Sequence, residues 1–403
     1  MAVRSSSPDL GTGVAGDGAA AAGSTSPSAR GRGKAAARPR AARWTVPPVL
    51  VRQTRNGVVE SVHRGDIVEV DAAGRMLRLL GDPDRVVYLR STVKPLGLVA
   101  LLRAGGQTEF DLTGEELAVM ASSHSGEDLH VRTIQAMLRR VGIPQAVLAC
   151  GAEGMPIDAL TAARLARDGE RPSALRHMCS GQHSVLILLA KLGGWELETY
   201  WQADHPAQLA YRDGVAAAYA VPAGSIRTGI DGCGVLTYAF PLREIARAYA
   251  ILADPTALPE RDPRAALARY LITIRDAMMA YPELVAGNRD RLDTSLMKAV
   301  PGRLVSKSGM EALRGIGILR GPRGNGAEVK ASGMVVKIED GDGYDRGTWA
   351  ASVEALRQAG VLDGQSLRAL ARYHMPRYLD PHGRTAAEAI PEFDLAPVGE
   401  LTG

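Results

Sequence analysis

The apolar pattern of this chain puts strand-like segments at both ends and helices between them. A chain so ordered buries its strands by bringing its two ends together. Val58–Val70 alternates apolar and polar positions and runs into Asp71-Ala-Ala-Gly74-Arg75, which reads as a hairpin turn. Arg85–Leu89 continues as a second or third strand. Further strand-like segments lie near 303–308, 311–319 and 328–338. Helical patterns fill 158–168, 180–192, 206–219, 241–253, 263–280 and 347–359. Thr113-Gly-Glu-Glu116 is a capping box that opens a helix to about residue 121. Another helix spans about 127–141 and stops at Gly142-Ile-Pro144. The pattern predicts one interleaved α/β (α+β) domain: an antiparallel sheet flanked by helices, with a helical subdomain.

The first 45 residues do not fit that domain. They are rich in Ala, Gly, Ser, Pro and Arg, carry only two acids, Asp9 and Asp17, and have no apolar periodicity. They read as a disordered basic leader, followed by a catalytic domain over 46–378 and a flexible tail over 379–403. The formal charge of +4 comes from the leader, and the rest of the chain is close to neutral, so the basic balance does not argue for a nucleic-acid partner. No apolar run reaches the roughly 18 residues a membrane span needs, and no basic, apolar leader of secretory type is present. A cytoplasmic protein is expected. Three cysteines, Cys150, Cys179 and Cys233, are too few for a disulfide framework; they read as free thiols, metal ligands or catalytic groups.

Ser91-Thr-Val-Lys94-Pro95 is the most informative segment for chemistry. Proline is tolerated only in the first turn of a helix, so a helix over Leu96–Leu102 must begin close to Ser91. Residues three apart then share a face, and the Ser91 hydroxyl can meet the Lys94 amine. A serine is a weak nucleophile that needs an adjacent base. A desolvated lysine can supply one, and Arg90 would help to keep Lys94 neutral. Free N–H groups at a helix start also stabilise an oxyanion. By spacing alone, a capping serine and a solvated lysine are the commoner description. Ser122-Ser-His-Ser-Gly126 is a hydroxyl cluster that also reads as a helix cap, and Ser306-Lys307-Ser308-Gly309 reads as catalytic, phosphate-binding or exposed. Cys179-Ser-Gly-Gln182-His183 and Asp231-Gly-Cys233 offer zinc-type ligands without the paired spacing of a structural zinc site, so inert buried thiols stay open. Asp231 beside glycine reads as a carboxylate facing a cleft and suited to a substrate ammonium.

Taken in order, these motifs resemble the asparaginase II family, the Rhizobium-type asparaginases. The resemblance rests on Glu60-Ser-Val-His63-Arg64-Gly65, Arg90-Ser91-x-x-Lys94-Pro95, Ser123-His124-Ser-Gly-Glu127, Cys179-Ser-Gly-x-His183, His205-Pro-Ala-Gln208, Asp231-Gly-Cys233, Lys307-Ser-Gly-x-Glu311 and Val336-Lys-Ile-Glu-Asp-Gly341. It covers roughly residues 55–375. It implies a fold similar to serine β-lactamases and glutaminases, and a homodimer. It implies two serine–lysine tandems, Ser91 with Lys94 and Ser123 with Lys307, with Ser91 attacking the side-chain amide of L-asparagine. Arg90, His124, Gln182 and Asp231 fall at substrate-binding positions, Asp231 on the α-amino group. A zinc is implied on Cys179 and Cys233 with a lysine, but Gln182 stands where relatives carry that lysine, and an amide is a poorer zinc ligand. Glutamine, another amide or a β-lactam-like ring is the alternative substrate. A non-catalytic amino-acid-binding relative is the third reading.

Overall fold

The computed structural model describes residues 45–324, 326, 328–342 and 346–400. Apart from Thr45, the leader expected over 1–45 lies outside the described residues. The two ends of the chain do meet in one antiparallel sheet. Its strands are β1 (Val49–Arg55), β2 (Val58–Asp71), β3 (Met76–Leu80), β4 (Leu304–Gly309), β5 (Leu313–Ile318), β6 (Ser332–Ile338), β7 (Arg377–Leu379) and β8 (Thr385–Pro391). The order is β7-β8-β1-β2-β6-β5-β4, with β3 also paired to β2. Strand β2 joins the two halves. Its first part pairs with β1, as in Arg52 opposite Val62, and its second part pairs with β6, as in Val68 opposite Val335.

Two of the sequence-based expectations change. Residues 379–403 were expected to trail as a flexible tail, yet Thr385–Pro391 lies between β1 and β7, with Val51 opposite Pro391 and Ala389 fully buried. Its alanines alternate inward like any half-buried strand, but they lack the β-branched side chains that make a strand visible in sequence. The strand expected over Arg85–Leu89 forms as Val86–Tyr88, in a separate three-stranded sheet with 227–230 and 236–241.

Helices cover both faces of the main sheet. These include α1 (Lys94–Gly97), α2 (Val99–Arg103), α3 (Gly114–Met120), α4 (Asp128–Arg140), α5 (Ser180–Gly193), α6 (Leu242–Ala253), α7 (Leu292–Ala299) and α8 (Gly347–Gln358). Helix α6 lies close on the sheet because Gly315, Gly317 and Gly333 leave it room: a Cβ at 333 would meet the Ala246 carbonyl at 1.9 Å. The capping box forms as predicted, with Thr113 and Glu116 each bonding the other's backbone N–H. Helix α5 is buried over most of its length, as its apolar run requires, and Gly181 lets it touch the backbone of α3 at Val119. Edge strand β4 faces these helices across the turn at Arg90–Val93, and that border holds the site. Among the described residues, no helix is long and apolar enough to cross a membrane.

Candidate active site

Arg90–Val93 forms a 3-10 turn that feeds directly into α1, with Pro95 in the first turn as its missing N–H requires. Arg90 itself has φ of +47°, a left-handed backbone uncommon for a side chain of this size. It is held there from three directions. Its N–H donates to Thr237 Oγ1 (3.2 Å), and its Nε and Nη2 both donate to Asp231 Oδ1 (3.0 and 2.7 Å). This strained residue places Ser91, which is buried, against the end of β4, where the Cα of Gly309 packs close to the Ser91 backbone. Strain of this kind concentrates at functional positions.

Lys94 is 1% exposed, and its amine is fully engaged. Nζ donates to Ser122 O (2.8 Å) and Ser123 Oγ (3.0 Å), with Cys179 Sγ at 3.3 Å and Met178 O at 3.4 Å. Lys94 thus reaches across to the loop after α3 and bonds the second serine. Among the described residues, no hydrogen bond joins its amine to the Ser91 hydroxyl; only its backbone N–H donates to Ser91 O. Nor does Lys307 bond Ser123: its Nζ donates to Ser308 O (2.6 Å) on its own strand. The two tandems expected from the resemblance are therefore rearranged, with Lys94 and Ser123 as the bonded pair. Burial, with repulsion from Lys94 added, holds the Lys307 amine well below the ordinary lysine range, against the pull of Asp293.

Ser123 opens onto a cleft of about 400 Å³ lined also by Ser125, Asp158, Met178, Arg289, Arg291, Asp293, Ser308, Met310, Arg314 and Trp349. Arg291 donates to Ser123 O (2.8 Å) and fixes that loop from the cleft side. Asp293, on α7, accepts from Ser306 Oγ, Ser308 Oγ and Ser308 N (2.6, 2.6 and 2.9 Å) and is paired with Arg314 of β5. Burial opposes its charge. Arg314, Lys307 and the serine bonds outweigh burial and hold its carboxyl well below the usual range. The sequence reading missed Asp293 and Arg314. The available signal was a lone arginine inside the apolar strand Leu313-Arg-Gly-Ile-Gly-Ile318, a position where charge survives only with a partner.

The remaining expected positions divide. Asp231 lies beside Arg90, and its Oδ1 also accepts from Gly232 N (2.7 Å), while Oδ2 has no partner among the described residues. His124 is fully buried and spends both ring nitrogens inside the protein, on Ser180 Oγ (2.8 Å) and Gly126 N (3.1 Å), with His130 stacked at 4.5 Å. It orders the loop that carries Ser123 and does not line the cleft. Gln182 is also turned inward, its Nε2 3.5 Å from Tyr211 Oη.

Cys179 and Cys233 do come together. A hydrogen bond from Cys233 holds the Cys179 thiol well below its usual range, against burial and with help from Lys94; the same pairing and burial push Cys233 up. A zinc of the kind the resemblance implies needs at least three protein ligands. Here Cys179 is occupied by Lys94 and Cys233, and Gln182 offers a neutral amide directed at Tyr211. Among the described residues, no group of three or more His, Cys, Asp or Glu side chains is placed to hold a metal. The residues present do not fit zinc, and no step is derived through one. Gln182→Lys restores the missing donor. It should raise zinc affinity at least roughly tenfold in a chelator-competition titration, the size of effect expected for a supporting ligand. Equal affinity in both proteins would show that residue 182 has no part in metal binding.

A model of the family described as L-asparaginase II matches residues 51–390. Among curated proteins none matches this chain. Similar solved structures include Mglu in its native form in 4.3 M NaCl, at 16% identity over 75% of this chain and 63% of that one, with a TM-score of 0.32. Another is a probable glutaminase from Bacillus subtilis complexed with 6-diazo-5-oxo-L-norleucine, at 13% identity over 75% of this chain and 78% of that one, with a TM-score of 0.30. This chain spans 63% of the length of the Mglu structure. Likeness at these scores adds nothing to the reading of the site. The family match, in contrast, takes in every side chain just placed around Lys94 and the cleft: the chain belongs to the L-asparaginase II family.

Proposed function

We propose that this protein hydrolyses the side-chain amide of L-asparagine through an acyl-serine intermediate, releasing ammonia and then L-aspartate. The observation that carries this reading is the buried hydrogen bond between Lys94 Nζ and Ser123 Oγ, 3.0 Å long, beside a cleft that Ser123 lines. A neutral lysine amine takes a serine proton, the freed Oγ attacks the amide carbon, and the proton leaves with ammonia. Ser91 is the attacking residue that the family resemblance supports. Its place in a strained turn against the end of β4 supports this role. Ser123 then relays the proton between Lys94 and the leaving nitrogen. A second reading exchanges the two hydroxyls, with Ser123 attacking. It is favoured by that serine's direct bond to Lys94 and its position in the cleft wall. Oδ2 of Asp231 is suited to the α-ammonium group in either case. The family resemblance also supports a homodimer, and three unpaired cysteines fit a reducing compartment such as the cytoplasm.

The test is ammonia release from L-asparagine and L-glutamine by the intact protein, Ser91→Ala and Ser123→Ala. Labelling with a diazo-ketone analogue of asparagine and mass mapping identifies the acylated serine. Turnover of asparagine should be higher above neutrality than below it, because a lysine base must lose its proton to act. An optimum below neutrality would reject a lysine base. Turnover of glutamine alone would move the substrate to the longer amide.

A further inference from the structure

We infer that Arg314 is the specificity-determining residue that receives the substrate's α-carboxylate, so that the cleft selects ω-amides of free α-amino acids over simple amides. This rests on the proposed reaction only for the identity of the substrate; the subsite itself is argued from the cleft.

Three arginines line the cleft. Arg289 is committed: its Nε and Nη2 hold Asp158 at 2.8 and 2.6 Å, and Nη2 also lies 3.2 Å from Glu127. Arg291 is tied to the Ser123 carbonyl. Arg314 differs. It is 1% exposed, and Nη1 alone carries its bonds to Asp293 and Ser306. Its Nε is enclosed and has no hydrogen-bond partner among the described residues. Among those residues its Nη2 carries no hydrogen bond either, so the Nε–Nη2 edge is uncommitted in a residue that lines the cleft.

The chemistry of the missing partner follows from the fork. A guanidinium offers parallel N–H donors whose spacing matches the two oxygens of a carboxylate. Asp293 cannot take a second role, because Ser306, Ser308 and Arg314 already fill its oxygens. Asp293 instead fixes Arg314 in place. Ser308 lines the same cleft, and Ser308 and Arg314 are directly opposite in the β4–β5 ladder. An anion entering the cleft therefore meets Arg314 beside Ser308, one residue from Gly309, whose backbone packs on Ser91. Asp231 is attached to Arg90, the residue before Ser91. Arg314 is attached to the strand whose end packs on Ser91, so the two charges reach the serine from different elements.

The experiment compares L-aspartate, which carries the α-carboxylate, with β-alanine, which lacks it. Binding to the intact protein is measured by calorimetry and needs no turnover. Arg314→Lys keeps the charge and loses the fork. It should weaken L-aspartate at least roughly tenfold while changing β-alanine less than twofold. In steady state it should raise KM for asparagine with kcat held within about threefold, the signature of lost uniform binding. If Arg314→Lys does not fold, the double variant Asp293→Leu with Arg314→Met removes both charges and should show the same selective loss. Native-like aspartate binding in either variant overturns the inference. Equal loss of both ligands, or no aspartate binding by the intact protein, also overturns it. If the binding contrast holds but no ammonia is released from asparagine, the subsite stands and the proposed reaction falls.

Discussion

Lys94→Met is expected to lower kcat/KM for amide hydrolysis by about 10³-fold or more, the upper range for removing a positioned general base. It should leave the fold standing. The substitution keeps a long, unbranched side chain in a space that is 1% exposed, and it takes a charge-bearing group out of the interior. It also strips donors from Ser122 O, Ser123 Oγ and Cys179 Sγ, so a cost of about 1–2 kcal/mol is expected, visible as a shift of a few degrees in Tm. A loss of rate far beyond the loss of stability separates a catalytic lysine from a structural one. The alkaline rise of the pH–rate profile should vanish with the side chain. Retention of more than a tenth of the activity would move the base to Lys307, whose amine burial already keeps well below its usual range.

The structure gives this variant a second use. The Lys94 amine bonds the Ser123 hydroxyl and not that of Ser91, so the two hydroxyls depend on it differently. If Ser91 is the nucleophile, Ser123→Ala should still acylate slowly, because the base remains and only the relay is lost. If Ser123 is the nucleophile, the same variant should not acylate at all.

Much of this arrangement is local and could be read from the sequence. Pro95 fixes where the helix starts, and Thr113 with Glu116 fixes the next helix, because both are matters of one turn of backbone. Val58–Val70 and the segments near 303–308, 311–319 and 328–338 were legible as strands, and antiparallel closure followed from having nowhere else to bury them; the alanine-rich strand at Thr385–Pro391 was not. What was not legible is long-range. The i, i+3 spacing predicts that Ser91 and Lys94 share a face, yet a lysine has four carbons of reach, and its partners turn out to be 28 and 29 residues away. Spacing cannot choose among acceptors that only the packed fold brings near. His124 and Gln182 sit in motifs of the right composition, but their side chains are consumed by Ser180, Gly126 and Tyr211, which come from other elements or another part of the loop. The Asp293–Arg314 pair was invisible for the same reason: one partner is on α7, the other on β5, and neither stands in a recognisable motif.

That pair carries the largest stability effect in the site. Asp293→Ala is expected to cost about 3–5 kcal/mol, because it leaves Arg314 charged, buried and unpaired. It also removes the acceptor for Ser306 Oγ, Ser308 Oγ and Ser308 N, and so loosens the strand that holds Lys307 and Gly309 against the serine. The sign with pH is fixed by the direction of the Asp293 shift. Its folded pKa lies below the unfolded value, so its contribution is complete above about pH 4 and is lost as pH falls through the folded value. The difference in urea midpoint between the native protein and Asp293→Ala should therefore be constant from about pH 5 to 8 and shrink in stronger acid. The double variant Asp293→Leu with Arg314→Met should recover most of the midpoint, since a well-packed apolar pair replaces a desolvated ionic one. A single variant within about 1 kcal/mol of the native protein would show that Arg314 finds another partner or water, and that the pair does not hold the site together. A double variant that stays as unstable as the single one would shift the cost from charge to packing. Recovered stability without recovered aspartate binding is the combination that assigns the ion pair to architecture and the spare edge of its arginine to the substrate.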